Sequence, residues 1–429
     1  MSRFGVCCLL LAAAAPAAAQ PDELDREPIN YRTAKADNVV AALQTRINAG
    51  KARLAFADDH GYLPALLKEL DVPLSSQVLV FSRTSLQRER ITPKTPRAIY
   101  FNDDVYVGFC LRGDVLEVSA VDTNLGTAYY TLDQQPDAAP RFTRERDRCL
   151  TCHASPATGG MPGHLVRSVF TDRTGLPVLS AGSFRTSHTS PFSERWGGWY
   201  VTGTHGRQTH MGNWVVANEA APRAEGNAGG QNVTELKSRF TVANYLTPHS
   251  DIVALLVLEH QIECHNRIAR AMIATRQARH YEAMLNKNLG EPADKKWDSA
   301  TRRIEGAGDQ LVEYLLFSGE AKLDGPVAGT SDFAKEFAAR GPVDKKGRSL
   351  REFDLRTRLF KYPCSYLVYS KAFAALPAGV KERTLRRMHA VLTGQDTSPP
   401  FAHLSAADRT AVLEILRDTL PDLPRYWAR

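Results

Sequence analysis

Five short runs between residues 77 and 133 are rich in β-branched and aromatic side chains: 77–82 (QVLVFS), 97–102 (RAIYFN), 105–112 (VYVGFCLR), 115–122 (VLEVSAVD) and 127–133 (TAYYTLD). The fourth alternates apolar and polar positions, the signature of a half-buried strand. Turn-forming clusters, Asn102-Asp103-Asp104 and Arg112-Gly113-Asp114, punctuate the runs. Together they predict an antiparallel meander. Two helical patterns precede it, at 37–50 and 62–71. The first has Asp37 as its cap and Gly50 as its terminator. The meander is expected to pack on these two helices.

From 136 to about 248 the chain turns rich in Gly, Pro, Ser and Thr. Short strands are expected there, such as 198–204, with a surface loop at 224–232. The aromatics Phe170, Phe184, Phe192, Trp196, Trp199, Tyr200 and Trp214 argue for order in this irregular stretch. Beyond Ser250 the spacing is mainly helical. A long helix runs from Asp251 to about Asn286, with Ser250 as its cap. Charged, Gly-rich segments follow at 288–300 and 319–347. Further helices are expected at 302–317, 359–374, 381–392 and 406–420, the last capped by Ser405. The pattern predicts an α+β protein. Its parts are an N-terminal α+β region (20–140), a loop-rich centre (141–249) and a helical region (250–429).

The first twenty residues, MSRFGVCCLLLAAAAPAAAQ, add a different message. One cation, an apolar run and Ala17-Ala18-Ala19 before Gln20 read as a signal peptide over 1–19. The run is too short to span a bilayer, and the most apolar later segment, 252–258, fits a buried helix. A periplasmic or otherwise exported protein with no membrane span in its mature chain is expected. Removing Arg3 lowers the formal charge from +7 to +6. These charges are interspersed, without a basic block, and do not point to nucleic acid. Cys7 and Cys8 leave with the leader. Of the five remaining cysteines, Cys110, Cys264 and Cys364 are far apart, either one long-range disulfide with a thiol over or three buried thiols.

Cys149 and Cys152 are the close pair, in Arg148-Cys149-Leu150-Thr151-Cys152-His153. From this composition about 0.003 chance matches to Cys-x-x-Cys-His are expected, so the pattern is specific. Structural zinc needs four ligands and no second Cys-x-x-Cys exists in the mature chain. A redox dithiol belongs beside a βαβ pattern that is not evident. Covalent haem asks for this arrangement: two thiols to add to two vinyl groups and an adjacent imidazole for the iron. The motif CLTCH resembles that of the c-type cytochromes. The resemblance implies one haem c, thioethers to Cys149 and Cys152, and His153 as proximal iron ligand. It is confined to those residues. The wider stretches RAIYFNDDVYVGF, GHLVRSVF, ERWGGWYVTGTHG and KYPCSYLVYS resemble large exported single-haem proteins, a likeness that implies no particular reaction.

Candidates for the distal ligand are Met211, in a later loop, and His210 beside it. Met161, His164 and His188 are weaker candidates. The long helix carries Glu259, His260, Glu263, Cys264 and His265 after an all-apolar start. Polar groups continuing a buried helix are costly unless partnered. Glu259 and Glu263 share one face; His260 and Cys264 share the next. They are candidate acid–base groups, a distal ligand or a second metal site, against the plainer reading of a buried hydrogen-bond network. Arg167, Arg185, Arg195, Trp196 and Trp199 are donors suited to haem propionates. Two functions follow as expectations: electron transfer to a redox partner protein, or small-molecule oxidoreduction of a peroxidase-like kind at an open distal position.

Overall fold

A computed structural model describes residues 21–136, 140–217 and 226–428. The expected leader, and the start of the expected 224–232 loop, lie outside these residues. The fold is α+β. The meander is present as β1 (Val78–Val80), β2 (Arg97–Phe101), β3 (Val105–Phe109), β4 (Val115–Asp122) and β5 (Gly126–Asp133). It extends at one edge by β6 (Phe142–Glu145) and at the other by a two-residue strand, Trp199–Tyr200, to give a seven-stranded antiparallel sheet.

One face of the sheet is closed. Ala98, Tyr100, Val107, Leu116, Val118, Ala128 and Leu132 are buried there in the same apolar cluster as Val40, Leu43, Leu63 and Leu66 of α1 (Val39–Asn48) and α2 (Leu63–Glu69). The first helix is capped one residue later than expected. Asn38 accepts from the Val40 and Ala41 amides, while Asp37 binds across to Asp122 through its own amide and to the Thr123 hydroxyl.

The opposite face receives the Cys-x-x-Cys-His segment and the 38-residue helix Ile252–Leu289. That long helix is capped by Asp251, not Ser250. The Asp251 carboxylate takes the Val253 amide at 2.8 Å and, with its other oxygen, the amides of Thr330 and Ser331 at 2.8 Å. Ser250 instead knits the sheet edge, donating to the Tyr200 carbonyl and accepting from the Leu79 amide. A carboxylate accepts several donors at once, which explains why the charged residue takes the cap.

C-terminal helices at Asp298–Leu315, Ala378–Leu392 and Ala406–Thr419 pack alongside, the last closed by a Ser405–Asp408 capping box. The helix expected over 359–374 is a correction. Only a short 3-10 turn, Tyr366–Tyr369, and one helical turn, Lys371–Ala374, form there. Pro363 lacks an amide proton and pushes its predecessor out of the helical region. Cys110, Cys264 and Cys364 are free, buried thiols. No described helix is long and apolar enough to cross a membrane.

Candidate functional site

Strand β6 delivers the chain to a single helical turn, α3 (Leu150–His153), with Cys149 at its N-cap position. Residues i, i+3 and i+4 share one face of a helix, so the turn presents Cys149, Cys152 and His153 together. Cys149 and His153 are half-buried and Cys152 is exposed. The turn is pinned from both ends. Arg148 pairs with Glu145 of β6 at 2.6 Å. Thr158 donates to the His153 carbonyl, and the loop beyond it returns to the long helix. There Asn266 accepts from the His164 amide and donates to the His164 carbonyl, both at 2.9 Å. Gly163 sits in that clamp: a Cβ would fall 2.3 Å from the Asn266 side-chain oxygen, so no side chain fits.

The clamp sets the imidazole. His153 Nδ1 lies 2.9 Å from the Gly163 carbonyl oxygen. A carbonyl only accepts, so Nδ1 carries the proton and Nε2 keeps its lone pair. Burial, opposed by that hydrogen bond, lowers the ring's pKa below the ordinary histidine value. Burial, reinforced by Glu145 and Glu117, pushes the Cys149 thiol up to about 12. Reactive dithiols and zinc thiolates depend on a lowered thiol pKa.

The sheet face beside the turn is polar and partly open. Cross-strand pairing places Arg97, Ile99, Gly108, Glu117, Ser119 and Tyr129 on it. Arg97, Ile99, Glu117 and Ser119 are only half-buried, although they belong to central strands. Arg97 pairs with Glu117 at 2.7 Å and lies over Gly108, where an added Cβ would meet the guanidinium. Both charges bias the proton equilibrium of His153.

A second group of rings continues inward. His153 packs on Tyr129 with centroids 5.0 Å apart, Tyr129 on His164 at 6.0 Å, and His164 on Tyr106 at 4.4 Å. His164 Nε2 meets the Ser119 hydroxyl at 2.7 Å, while its buried Nδ1 has no hydrogen-bond partner among the described residues. The Tyr106 hydroxyl lies 2.9 Å from His265 Nδ1 and also receives the Gln261 amide at 2.8 Å. Gln261 in turn accepts from Tyr366 at 2.5 Å.

The rest of the long-helix cluster resolves into separate partnerships. Glu259, fully buried, binds Arg195 at 2.9 Å, and Thr186 and Trp196 also face its carboxylate. Arg195 uses its remaining donors on the His188 and Ser190 carbonyls. His260 Nδ1 meets His188 Nδ1 at 2.9 Å and its Nε2 meets the Ser365 hydroxyl at 2.8 Å. Cys264, on the same face, approaches that hydroxyl at 3.7 Å. Glu263 binds Arg267 at 2.8 Å and lies 4.0 Å from Arg185. Burial drives the His260 and His265 pKa values down to about 3, so both rings are neutral. Among the described residues no three His, Cys, Asp or Glu side chains form a metal-sized group.

Of the expected distal ligands, His164 packs edge-on to His153 with centroids 6.3 Å apart, while Met211 and His210 lie apart from the turn. Met211 is buried with Phe170, Val178 and Val216, and its sulfur accepts from the Ser168 hydroxyl at 3.6 Å. His210 packs on Trp196 and its Nδ1 takes the Gly212 amide at 2.9 Å. Neither shares a hydrogen bond or ring contact with His153 among the described residues. Met161 packs half-buried against the main core. Of the expected propionate donors, Trp199 donates to the Arg167 carbonyl, and Arg195 and Trp196 face Glu259. Arg167 and Arg185 pair across the hairpin of β7 (Arg167–Val169) and β8 (Ser183–Arg185), and Arg185 reaches the Ala157 carbonyl just past the motif.

The sequence assigns no role to Arg97, Tyr106, Tyr129, Gly163 or Asn266. Arg97, Tyr106 and Gly163 lie in quoted stretches of the resemblance, but the proximity of all five exists only in the folded chain. Comparison with protein-family models, with curated proteins and with solved structures finds no match to this chain.

Proposed function

We propose that this chain is an exported c-type haem protein that transfers electrons through one haem. Cys149 and Cys152 hold the haem as thioethers and His153 is its proximal ligand. The carrying observation is the His153 Nδ1–H donated to the Gly163 carbonyl. Iron-ligating histidines are oriented by such a bond from the other ring nitrogen, which leaves the Nε2 lone pair for the metal. The half-open sheet face with Arg97 also suits the group. The haem supplies a one-electron iron couple, tuned by its axial ligands and burial. The chain's part is to fix the imidazole through Gly163, hold both thiols on one turn, and offer cations at Arg97, Arg167 and Arg185 for carboxylates.

The test is expression with haem-attachment machinery, followed by acid–acetone extraction and a reduced optical spectrum. Haem that resists extraction and gives a c-type spectrum is expected; a colourless protein sinks the proposal. One observation favours the second reading, hydroperoxide chemistry at an open distal position: Met211 and His210 are each engaged elsewhere. Carbon monoxide separates the two. An unchanged ferrous spectrum means both axial positions are filled, and a shifted one means the distal position is open.

A further inference from the structure

We propose that Tyr106 and His265 form a redox-active pair, in which the buried phenol gives up an electron and its proton passes to the neighbouring imidazole. The proposal rests on the second haem reading above, an open distal position at which a hydroperoxide is the oxidant.

The direction of the hydrogen bonds makes the case. The Gln261 amide nitrogen can only donate, and it does so to the Tyr106 oxygen and to the Asn102 carbonyl, both at 2.8 Å. The Tyr106 oxygen is therefore an acceptor toward Gln261. Its own proton is left to point at His265 Nδ1, 2.9 Å away. Both residues are buried, at 5% and 3% exposure, so no bulk water competes for that proton. Burial also keeps the imidazole neutral and able to accept.

Six other buried tyrosines are built differently. Tyr31, Tyr129, Tyr200 and Tyr245 donate to backbone carbonyls, and Tyr100 and Tyr366 to glutamine amide oxygens. Amide oxygens do not take a proton from a phenol. Oxidising any of these leaves a charged radical cation in a low-dielectric interior, which is costly. Of these seven, Tyr106 is the one whose hydroxyl meets an imidazole nitrogen. Tyr129 is nearer His153, yet its proton is held by Gly163 at 2.5 Å. An oxidising equivalent entering at His153 thus passes Tyr129 and His164 and comes to rest on Tyr106, along ring contacts of 5.0, 6.0 and 4.4 Å. The Asp103 backbone, which favours the charged form of the His265 ring, faces the imidazolium so formed.

The step balances with a hydroperoxide as oxidant. Its reduction to an alcohol and water takes two electrons and two protons. The haem supplies one electron, Tyr106 the other, and solvent the protons. The O–H bond of Tyr106 breaks, the proton binds His265 Nδ1, and a neutral phenoxyl radical remains until a one-electron donor restores it.

The test adds hydrogen peroxide to the ferric, haem-loaded protein and traps it by rapid freezing for electron paramagnetic resonance. A tyrosyl signal is expected, lost in Tyr106→Phe and retained in Tyr245→Phe, whose hydroxyl meets only the Pro96 carbonyl. His265→Gln should slow its formation and remove the solvent deuterium effect. A signal unchanged in Tyr106→Phe, a rate unchanged in His265→Gln, or no tyrosyl signal overturns the proposal. If no haem is carried, the function proposed above fails, and the pair is tested separately. A ruthenium polypyridyl photo-oxidant is then attached to the exposed Cys152 thiol. Flash oxidation should place the radical on Tyr106, and a signal surviving Tyr106→Phe rejects the pair.

Discussion

Cys152 stands in solvent and His153 is half-buried, whereas His260 and His265, on the long helix, are 0% and 3% exposed. The two regions solve opposite problems. The motif turn keeps a lone pair available at the surface of the fold, using a carbonyl ten residues further along the chain. The helix hides neutral imidazoles and satisfies them with partners from far away: His188 is 72 residues from His260, and Tyr106 is 159 from His265. On the function proposed above, a site that receives a group is built locally. A site meant to hold protons in the interior is assembled by the whole fold.

That contrast can be broken most directly at the turn. Replacing both Cys149 and Cys152 by alanine should abolish covalent haem entirely, read by acid–acetone extraction, while the buried network and the fold persist. Haem that still resists extraction would refute the local picture. The next largest effect belongs inside. Arg195→Met leaves the Glu259 carboxylate buried without its cation and should cost about 3–5 kcal/mol in urea unfolding at pH 7. Adding Glu259→Met should recover much of that loss; no recovery would mean the pair is not a unit.

The histidines give a pH signature. His164, His188, His210, His260 and His265 all have pKa values lowered by burial. The unfolded chain takes up protons near the ordinary value of 6.5 while the folded chain does not. Stability is therefore full above that pH and falls as pH drops below it, by up to about 1.4 kcal/mol per pH unit for each ring. Urea midpoints between pH 7 and 5 should fall steeply; a flat profile would mean these rings are solvated.

A smaller effect has the opposite sign. Burial raises Glu320 to about 7, and its carboxylate accepts the Leu359 amide at 2.8 Å. Between the ordinary carboxylate value and 7 the folded state holds the extra proton, so stability falls as pH rises through that window. Glu320→Gln should add about 1 kcal/mol at pH 8, allowing for partial solvation, and nothing at pH 4. Equal melting temperatures at pH 8 would remove Glu320 from the buried set.

Much of the sheet was legible because alternation is a direct trace of a two-sided strand. β4 shows it, its residues alternating half-buried and buried from Val115 to Asp122. β6 was missed because Phe142–Glu145 is a short edge strand with charged side chains and no apolar face to advertise. The motif was legible because its chemistry sits within five consecutive residues. The helix cluster was only half legible. The i, i+4 spacing correctly groups His260 with Cys264, since both meet Ser365. It also groups Glu259 with Glu263 on one face, and the two bind different arginines. Spacing reports which residues share a face and is silent about what that face meets.

The Gly163 carbonyl deserves one last consequence. Its oxygen has two lone pairs, and both are taken: Tyr129 donates at 2.5 Å and His153 at 2.9 Å. The tilt of an imidazole and the position of a sheet strand therefore hinge on a single atom. A rotation of the ring about its axis cannot occur without tugging on β5, and a shift of β5 is felt at the ring. In mechanical terms the oxygen is a pivot joining two levers, so the orientation of His153 is a readout of the sheet's geometry as well as of its own loop.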